Sequence, residues 1–428
     1  MRRVRRHAGW SLGLMMALSL VGCQASPPTT PDTGGTTPTS STPAPASTST
    51  PSPQPTPTPS TQVQAPAAYR VYTVAGNGVK GDSDVNVAAT STTLYSPAGV
   101  AQGPDGSLYI ADYKAHRIRK VDGAGMITNI AGKTAFPGED GDEGPAVDAS
   151  LSKPYCLVFD KQGNLYFSEY GPGLGFSYPG KVRWIDSNGI LHRLSGGGSL
   201  DVVDGVPAKD ANIQSPEGLA FDKNGRLYVA EYEGHRVLRL ESDNTFTIVA
   251  GDGTAGNDGD GGPAKSAHLT NPNWLTFDKD GNLYIVDSGA HVIRKVTPGG
   301  TISTFAGTGV PTNDPLVAGY QAGSATHPLG DGGQATAATF HTPSTACFDA
   351  QGDMLITDGE NYLVRRINPQ GIITSIAGTG QAPDSSTTAD GSEGRMVPLG
   401  MPDGLFINSQ GQVYLSEYSA YRVRLLSE

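Results

Sequence analysis

The sequence has 428 residues and a formal net charge of −11 at pH 7, with only three cysteines. A chain this acidic is a poor partner for nucleic acid or for anionic lipid headgroups, because both repel negative charge. Two cysteines far apart in the folded part cannot form a disulfide framework, so we expect Cys156 and Cys347 to be free, buried thiols.

The N-terminal segment predicts export. Four arginines within residues 1–6 precede an apolar run that ends near Val21, which is the pattern of a secretory signal peptide. The run ends in Leu20-Val21-Gly22-Cys23, which resembles the bacterial lipobox. That resemblance implies a signal peptide over residues 1–22 and lipidation of Cys23, leaving about −15 on the mature chain. The alternative is an ordinary signal peptide with an incidental cysteine.

Residues 23–67 predict a stalk. From Gln24 to about Ala67 the chain is almost entirely Pro, Thr, Ser, Ala, Gly and Gln. Such a segment cannot bury enough apolar surface to offset its chain entropy, so we expect it to be disordered and partly polyproline II. Its Ser/Thr/Pro mixture is also the composition of O-glycosylated stalks.

Beyond residue 68 one pattern recurs six times. Its turn glycines are separated by 56 to 71 residues, at Gly106, Gly163, Gly225, Gly281, Gly352 and Gly411. Each unit contains four short β-type runs, and four antiparallel strands repeated radially predict an all-β propeller. The sixth unit supplies only three strands before the chain ends, and its missing strand matches residues 69–76. We therefore predict a six-bladed β-propeller over residues 68–428, closed by the N-terminal strand completing the C-terminal blade.

The motif resembles a known repeat. The runs Leu108-Tyr-Ile-Ala-Asp112 and His116-Arg-Ile-Arg-Lys-Val121, with the returning Ala131-Gly132, resemble the NHL repeat. The linking segment that begins at Gly259-Asp-Gly-Gly-Pro-Ala264 is similar to the long-linker form of bacterial NHL proteins and of the teneurin propeller. The resemblance covers the whole folded part and implies the fold more strongly than a function.

Acids at the end of each second strand invite a catalytic interpretation. In four units an arginine follows seven residues later, and these pairs are Asp112 with Arg119, Asp287 with Arg294, Asp358 with Arg365, and Glu417 with Arg424. Carboxylates can act as general acids or bases. Because one acid recurs in every blade, we favour structural cross-strand ion pairs.

Two other regular sets point to structure as well. His116, His235 and His291 share one repeat position before the third strand, so they lie on different blades and cannot converge on one zinc ion. The aspartates of the linkers favour Asx turns, with structural calcium as the less favoured alternative, since the ligand spacing of a calcium loop is incomplete. No cofactor is expected.

Function is expected where the repeats disagree. The residue after each pre-strand proline varies, and with Trp274 these residues should line one mouth of the channel: Ala98, Tyr155, Glu217, Asn273, Ser344 and Asp403. Two insertions belong to the same face, residues 311–329 and a glycine-rich segment with Tyr170, Phe176 and Tyr178. Loops on a rigid scaffold usually carry binding; the alternative is that these aromatic residues only cover neighbouring blades.

These patterns favour a binding scaffold over an enzyme. We expect a monomeric lipoprotein of a bacterial envelope, at the outer membrane or cell surface, anchored in the membrane through Cys23. Its top face is expected to bind a protein, peptide or glycan, and not nucleic acid. The alternative, implied by resemblance to propeller lyases and lactonases, is an enzyme with a metal at the central channel. A purely structural envelope scaffold is a third interpretation.

Overall fold

The computed structural model describes residues 68–82, 85–133, 136–170, 180–310, 329–383 and 390–428. Within them the chain forms six antiparallel sheets, each with four main strands, which we name inner, second, third and outer. The inner strands of neighbouring blades contact one another in a closed ring. The predicted all-β six-bladed propeller is therefore confirmed.

Each blade places its inner, second, third and outer strands in this order along the chain, except that the outer strand of blade six comes first in the sequence. Blades one to three contain Pro97–Gln102, Leu108–Asp112, Arg117–Val121 and Met126–Ala131; Pro154–Phe159, Leu165–Glu169, Lys181–Ile185 and Ile190–Gly196; and Pro216–Phe221, Leu227–Glu231, Arg236–Leu240 and Thr245–Ala250. Blades four to six contain Pro272–Phe277, Leu283–Asp287, Val292–Val296 and Ile302–Ala306; Pro343–Phe348, Met354–Asp358, Leu363–Ile367 and Ile373–Ala377; and Pro402–Ile407, Val413–Glu417, Arg422–Ser427 and Arg70–Ala75.

Ring closure is made by the two ends of the folded part. The strand Arg70–Ala75 pairs antiparallel with Arg422–Ser427, with Arg70 opposite Ser427. Its pattern matches the other outer strands because it fills the same place, and its buried Val71 and Ala75 are at most 1% exposed. The predicted closure by the N-terminal strand is confirmed.

The linkers between blades add short elements that the repeat pattern did not predict. Four sheets gain a fifth, two-residue strand outside the outer strand: Val87–Ala88, Gly144–Pro145, Val206–Pro207 and Ser392–Glu393. The helices are single 3₁₀ turns: Ala89–Ser91, Tyr113–Ala115, Ala146–Asp148, Ala208–Asp210, Ala264–Ser266, Ser288–Ala290, Ala335–Ala337, Gly359–Asn361 and Gly394–Met396. Among the described residues no helix is long and apolar enough to span a bilayer.

The acid that ends each second strand holds the corner that leads into the inner strand. Asp112 Oδ1 accepts a hydrogen bond from the Tyr95 backbone N–H at 2.7 Å, and Glu417 accepts from Gly400 N–H at 2.8 Å. The same bond occurs in all six blades. This hydrogen bond stabilises the corner, where the residue before each inner-strand proline has a left-handed backbone with φ between 45° and 58°. That conformation is rare for a residue other than glycine.

A buried arginine on the third strand completes this arrangement in five blades. Arg119 is fully buried, and its Nε lies 2.8 Å from Asp112 Oδ2. Its Nη2 lies 2.7 Å from Asp82 of the preceding linker. The corresponding second-strand pairs are Glu169 with Arg183, Asp287 with Arg294, Asp358 with Arg365, and Glu417 with Arg424, at 2.6 to 3.9 Å. Arginine thus joins a blade to its linker.

Blades two and three depart from the pattern in different ways. In blade two the displaced Arg183 still reaches Glu169 at 3.3 Å. In blade three Leu238 occupies the arginine position, and Glu231 pairs instead with Arg236 at 3.0 Å. The insertion in blade two therefore preserves the ion pair, and blade three replaces its partner.

The linker aspartates act as second counter-ions, a different role from the Asx turns expected from sequence. Asp260 Oδ1 lies 2.7 Å from Arg294 Nη2, and its other oxygen accepts the Thr304 N–H of the outer strand at 2.8 Å. Asp331 repeats this with Arg365 and Ser375. Each such carboxylate ties its linker to the third and outer strands of the blade that follows.

The recurring histidines join neighbouring blades. His116 Nδ1 accepts the backbone N–H of Lys153, the corner residue of the next blade, at 3.0 Å. His235 and His291 accept from Asn271 and Thr342 in the same way. Burial lowers the pKa of His116 to about 4, which favours the neutral ring that this acceptor role needs.

The two thiols are free. Cys156 is fully buried and Cys347 is partly buried. The Cys156 Sγ accepts the Leu219 N–H of the next blade at 3.3 Å, and burial raises the pKa of its thiol to about 12. Cys156 therefore acts as a small packing residue between inner strands rather than as a nucleophile.

The Asp112–Arg119 pair predicts the stability of blade one. Asp112→Ala leaves the fully buried Arg119 without that partner and the Tyr95 N–H unsatisfied, so it should lower the free energy of unfolding by about 3–5 kcal/mol. The double variant Asp112→Asn with Arg119→Leu, which removes both buried charges and places leucine where blade three has Leu238, should lose less stability. Urea unfolding followed by circular dichroism measures both.

The control for this prediction is an exposed ion pair on the same ring. Lys279 and Asp280 are 88% and 67% exposed, so Lys279→Ala should change stability by less than about 0.5 kcal/mol. An Asp112→Ala variant as stable as Lys279→Ala would refute a structural role for the buried pair.

Candidate functional site

The second residue of every inner strand lies at one mouth of the ring. These residues are Ala98, Tyr155, Glu217, Asn273, Ser344 and Asp403, which we name the mouth floor, and none is more than 9% exposed. Each inner strand has a register shift beside this residue, directly after its proline. Such bulges redirect a side chain from the sheet face.

A hydrogen-bonded chain crosses the mouth floor. The Tyr155 hydroxyl donates to Asp403 Oδ1 at 3.0 Å. Asn273 Nδ2 donates to the Tyr155 oxygen at 3.2 Å and to Glu217 Oε2. Residues from blades six, two, four and three are thus joined across the axis, and Ala98 of blade one has no long side chain to compete with Tyr155.

Above the floor stands a wall of four tyrosines, of which the sequence analysis identified only Tyr170. The residue after each second-strand acid is tyrosine in blades one, two, three and six: Tyr113, Tyr170, Tyr232 and Tyr418. We name this set the tyrosine crescent. The Tyr113 ring centroid lies 5.9 Å from Tyr155, 5.8 Å from Tyr170 and 6.0 Å from Tyr418, all in edge-to-face or tilted contact.

The crescent is open over blades four and five. The corresponding residues there are Ser288, which is buried, and Gly359. A Cβ at Gly359 would lie 3.0 Å from the Thr342 carbonyl oxygen and 3.2 Å from Ser344 Oγ. These distances are shorter than the usual contacts of a Cβ atom. The mouth therefore has an aromatic side and a side of small residues above Asn273 and Ser344.

Comparison with known proteins agrees with this architecture. The Teneurin NHL domain model matches residues 240–323, and the NHL repeat model matches residues 94–121 and 214–240. Mouse Teneurin-1 is 21% identical over 385 residues, covering 84% of this chain and 13% of the relative. Human NHL repeat-containing protein 2 is 27% identical over 318 residues, covering 67% of this chain and 41% of the relative. This β-propeller is built from repeats similar to the NHL repeat.

The chain spans less than half the length of these curated relatives. It is also similar in fold to solved structures. An auxiliary nutrient binding protein from Bacteroides thetaiotaomicron has a TM-score of 0.58 at 15% identity, covering 84% of this chain and 76% of that one. A second protein from the same organism, described as of unknown function, has a TM-score of 0.58 at 18% identity, with the same coverage of both chains.

The acids of the mouth floor differ electrostatically from the repeated acids of the propeller. Burial raises the pKa of Glu217 well above its usual value, and the neighbouring Asp403 and Glu233 raise it further. Burial raises the pKa of Asp403 to about 6, although the Tyr155 and Ser344 hydroxyls oppose this. The hydrogen-bond partners of both acids are neutral groups, whereas the repeated acids pair with arginine.

The remaining predicted site residues have varied positions. Trp274 is 7% exposed and belongs to the same apolar core cluster as Tyr155 and Val286. Tyr170 contacts Tyr113 and Tyr155 at the mouth. Phe176 and Tyr178 lie outside the described residues, as does Cys23. Within the described part, no group of three or more His, Cys, Asp or Glu is placed to hold a metal.

Asp403 gives the site a predicted pH dependence. Its folded pKa of about 6 lies above the usual 3.8, so folding favours the protonated form. That stabilisation is complete below about pH 4 and is lost as the pH rises through 6. Asp403→Asn does not titrate, so its stability relative to wild type should increase by about 2 kcal/mol between pH 4.5 and 7.5.

Urea unfolding of both proteins at pH 4.5 and 7.5 measures this difference. Asp280→Asn changes a 67% exposed position, so its free energy of unfolding should differ from that of wild type by the same amount at both pH values. A constant difference for Asp403→Asn as well would show that Asp403 titrates normally.

Proposed function

We propose that this propeller is an exported, lipid-anchored binding protein of a bacterial envelope and that it binds a protein, peptide or glycan ligand through the mouth. The observation that carries the proposal is the contrast between the two kinds of acid. The repeated acids are satisfied by backbone N–H groups and arginine. Glu217 and Asp403 occur once each, face the axis and stand beneath the tyrosine crescent.

The wall supports binding of a ligand with an apolar or ring-shaped face. The crescent tyrosines are partly exposed, and Tyr113 is held by ring contacts with Tyr170 and Tyr418. Tyrosine supplies a rigid contact surface with a polar tip, which suits recognition at low entropic cost. The nutrient-binding name of the structural neighbour is consistent with this role.

The anchor is supported by the sequence of the first 23 residues. An apolar run that ends in a cysteine after small and aliphatic residues is the substrate pattern of bacterial lipidation. The long Pro/Ser/Thr-rich segment that follows would hold the ring away from the membrane surface. The ring would then meet its ligand outside the lipid headgroup region.

Binding at the mouth is tested by screening glycan and peptide libraries against the purified chain and comparing two tyrosine variants. Tyr113→Ala removes the ring at the centre of the crescent and should weaken any ligand found by about tenfold or more. Tyr72→Ala changes a 38% exposed tyrosine on the outer strand of blade six and should leave affinity unchanged. Equal affinity of the two variants would rule out the mouth as the site.

The anchor is tested by metabolic labelling of cells that express the chain. Wild type should incorporate radiolabelled fatty acid and partition with membranes, whereas Cys23→Ser should do neither, because the acceptor thiol is gone. Ser26→Ala keeps the segment otherwise intact and serves as control. Label retained in Cys23→Ser would contradict lipidation at that residue.

A further inference from the structure

The mouth floor is rich in hydrogen-bond acceptors. Glu217 and Asp403 are 2% and 7% exposed, and their hydrogen bonds come from an amide and from hydroxyls. A buried carboxylate is expensive unless a cation pairs with it. In the described structure the floor therefore lacks the positive charge that the other buried acids of this propeller receive from arginine.

An unsatisfied acceptor lies in the same place. Asn273 is 6% exposed, and its Oδ1 is buried without a hydrogen-bond partner among the described residues. Buried side-chain oxygens usually have a partner, so Asn273 Oδ1 is an available acceptor on the mouth floor. The Nδ2 of the same amide already donates to Tyr155 and Glu217, which fixes the direction in which its oxygen is available.

The tyrosine crescent suits a cation. The faces of tyrosine rings attract ammonium groups, and two crescent rings already do so: Lys114 Nζ lies 4.9 Å from the Tyr418 centroid, and Lys153 Nζ lies 6.0 Å from that of Tyr170. Glu233 adds a third negative charge near Glu217 and Tyr232. The mouth floor is thus acidic beneath an aromatic wall.

We infer that the mouth recognises a primary ammonium group, as carried by a lysine side chain or an amino sugar. Its three N–H donors match Asn273 Oδ1 and the carboxyls of Glu217 and Asp403, and its carbon chain or ring packs against the crescent. The inference rests on the proposed binding at the mouth. A metal ion fits less well, because among the described residues no group of three or more His, Cys, Asp or Glu is placed to hold one.

The test compares charged probes with neutral isosteres by calorimetry on the full-length chain. Nα-acetyl-lysine amide should bind at least about tenfold more tightly than Nα-acetyl-norleucine amide, and glucosamine at least about tenfold more tightly than glucose. The lysine and glucosamine arms distinguish the two sources of the ammonium group. Binding of either charged probe with this preference supports the inference.

Isosteric variants locate the charge that is recognised. Glu217→Gln and Asp403→Asn each keep the shape of the floor, and each should weaken the charged probe about tenfold while leaving the neutral one unchanged. Asp280→Asn removes the same charge at an exposed turn at the far end of the inner strand and should have no effect. Circular dichroism checks that each variant is folded. If one floor variant fails to fold, the other alone tests whether the charge is recognised.

The outcomes separate this inference from the proposed function. Neutral and charged probes that bind equally, with loss in Tyr113→Ala, would leave mouth binding intact and overturn ammonium recognition. Absence of binding by both charged probes at millimolar concentration also overturns it. Probe binding that survives Tyr113→Ala, Glu217→Gln and Asp403→Asn would contradict both proposals.

Discussion

The carboxylate at the end of each second strand is the interaction on which this propeller depends. It accepts the backbone N–H two residues before the inner-strand proline, so it holds the left-handed corner that sends the chain back to the axis. In five blades it also pairs with a buried arginine that contacts the linker. The proline, the left-handed corner before it and the carboxylate together place the residue after the proline at the mouth.

This arrangement separates scaffold from site within one repeat. The acid after the second strand is fixed by the fold in every blade, and the position after the proline is free to vary because its side chain leaves the sheet at a bulge. The result is a ring in which Tyr155, Glu217, Asn273 and Asp403 meet from four different blades. A symmetric backbone thereby supports an asymmetric mouth.

Sequence predicted the fold well and the site in part. The spacing of Gly106, Gly163 and their equivalents predicts the blades, because each turn requires a residue with positive φ. The variable position after the proline indicated where the mouth floor would form, but hydrogen bonds such as Tyr155 to Asp403 depend on distances across the ring that no local pattern contains. The tyrosine crescent was detectable, since tyrosine follows the acid in four repeats.

Closure by residues 70–75 has a consequence for the order of folding. Arg70 pairs with Ser427, so the sixth sheet cannot form until almost the whole chain is available, whereas each of the other sheets needs only a local segment. Pairing across such a sequence distance is entropically slow. Until it occurs, blade six exposes the unpaired edge of Arg422–Ser427, so closure removes an edge that could pair with another chain.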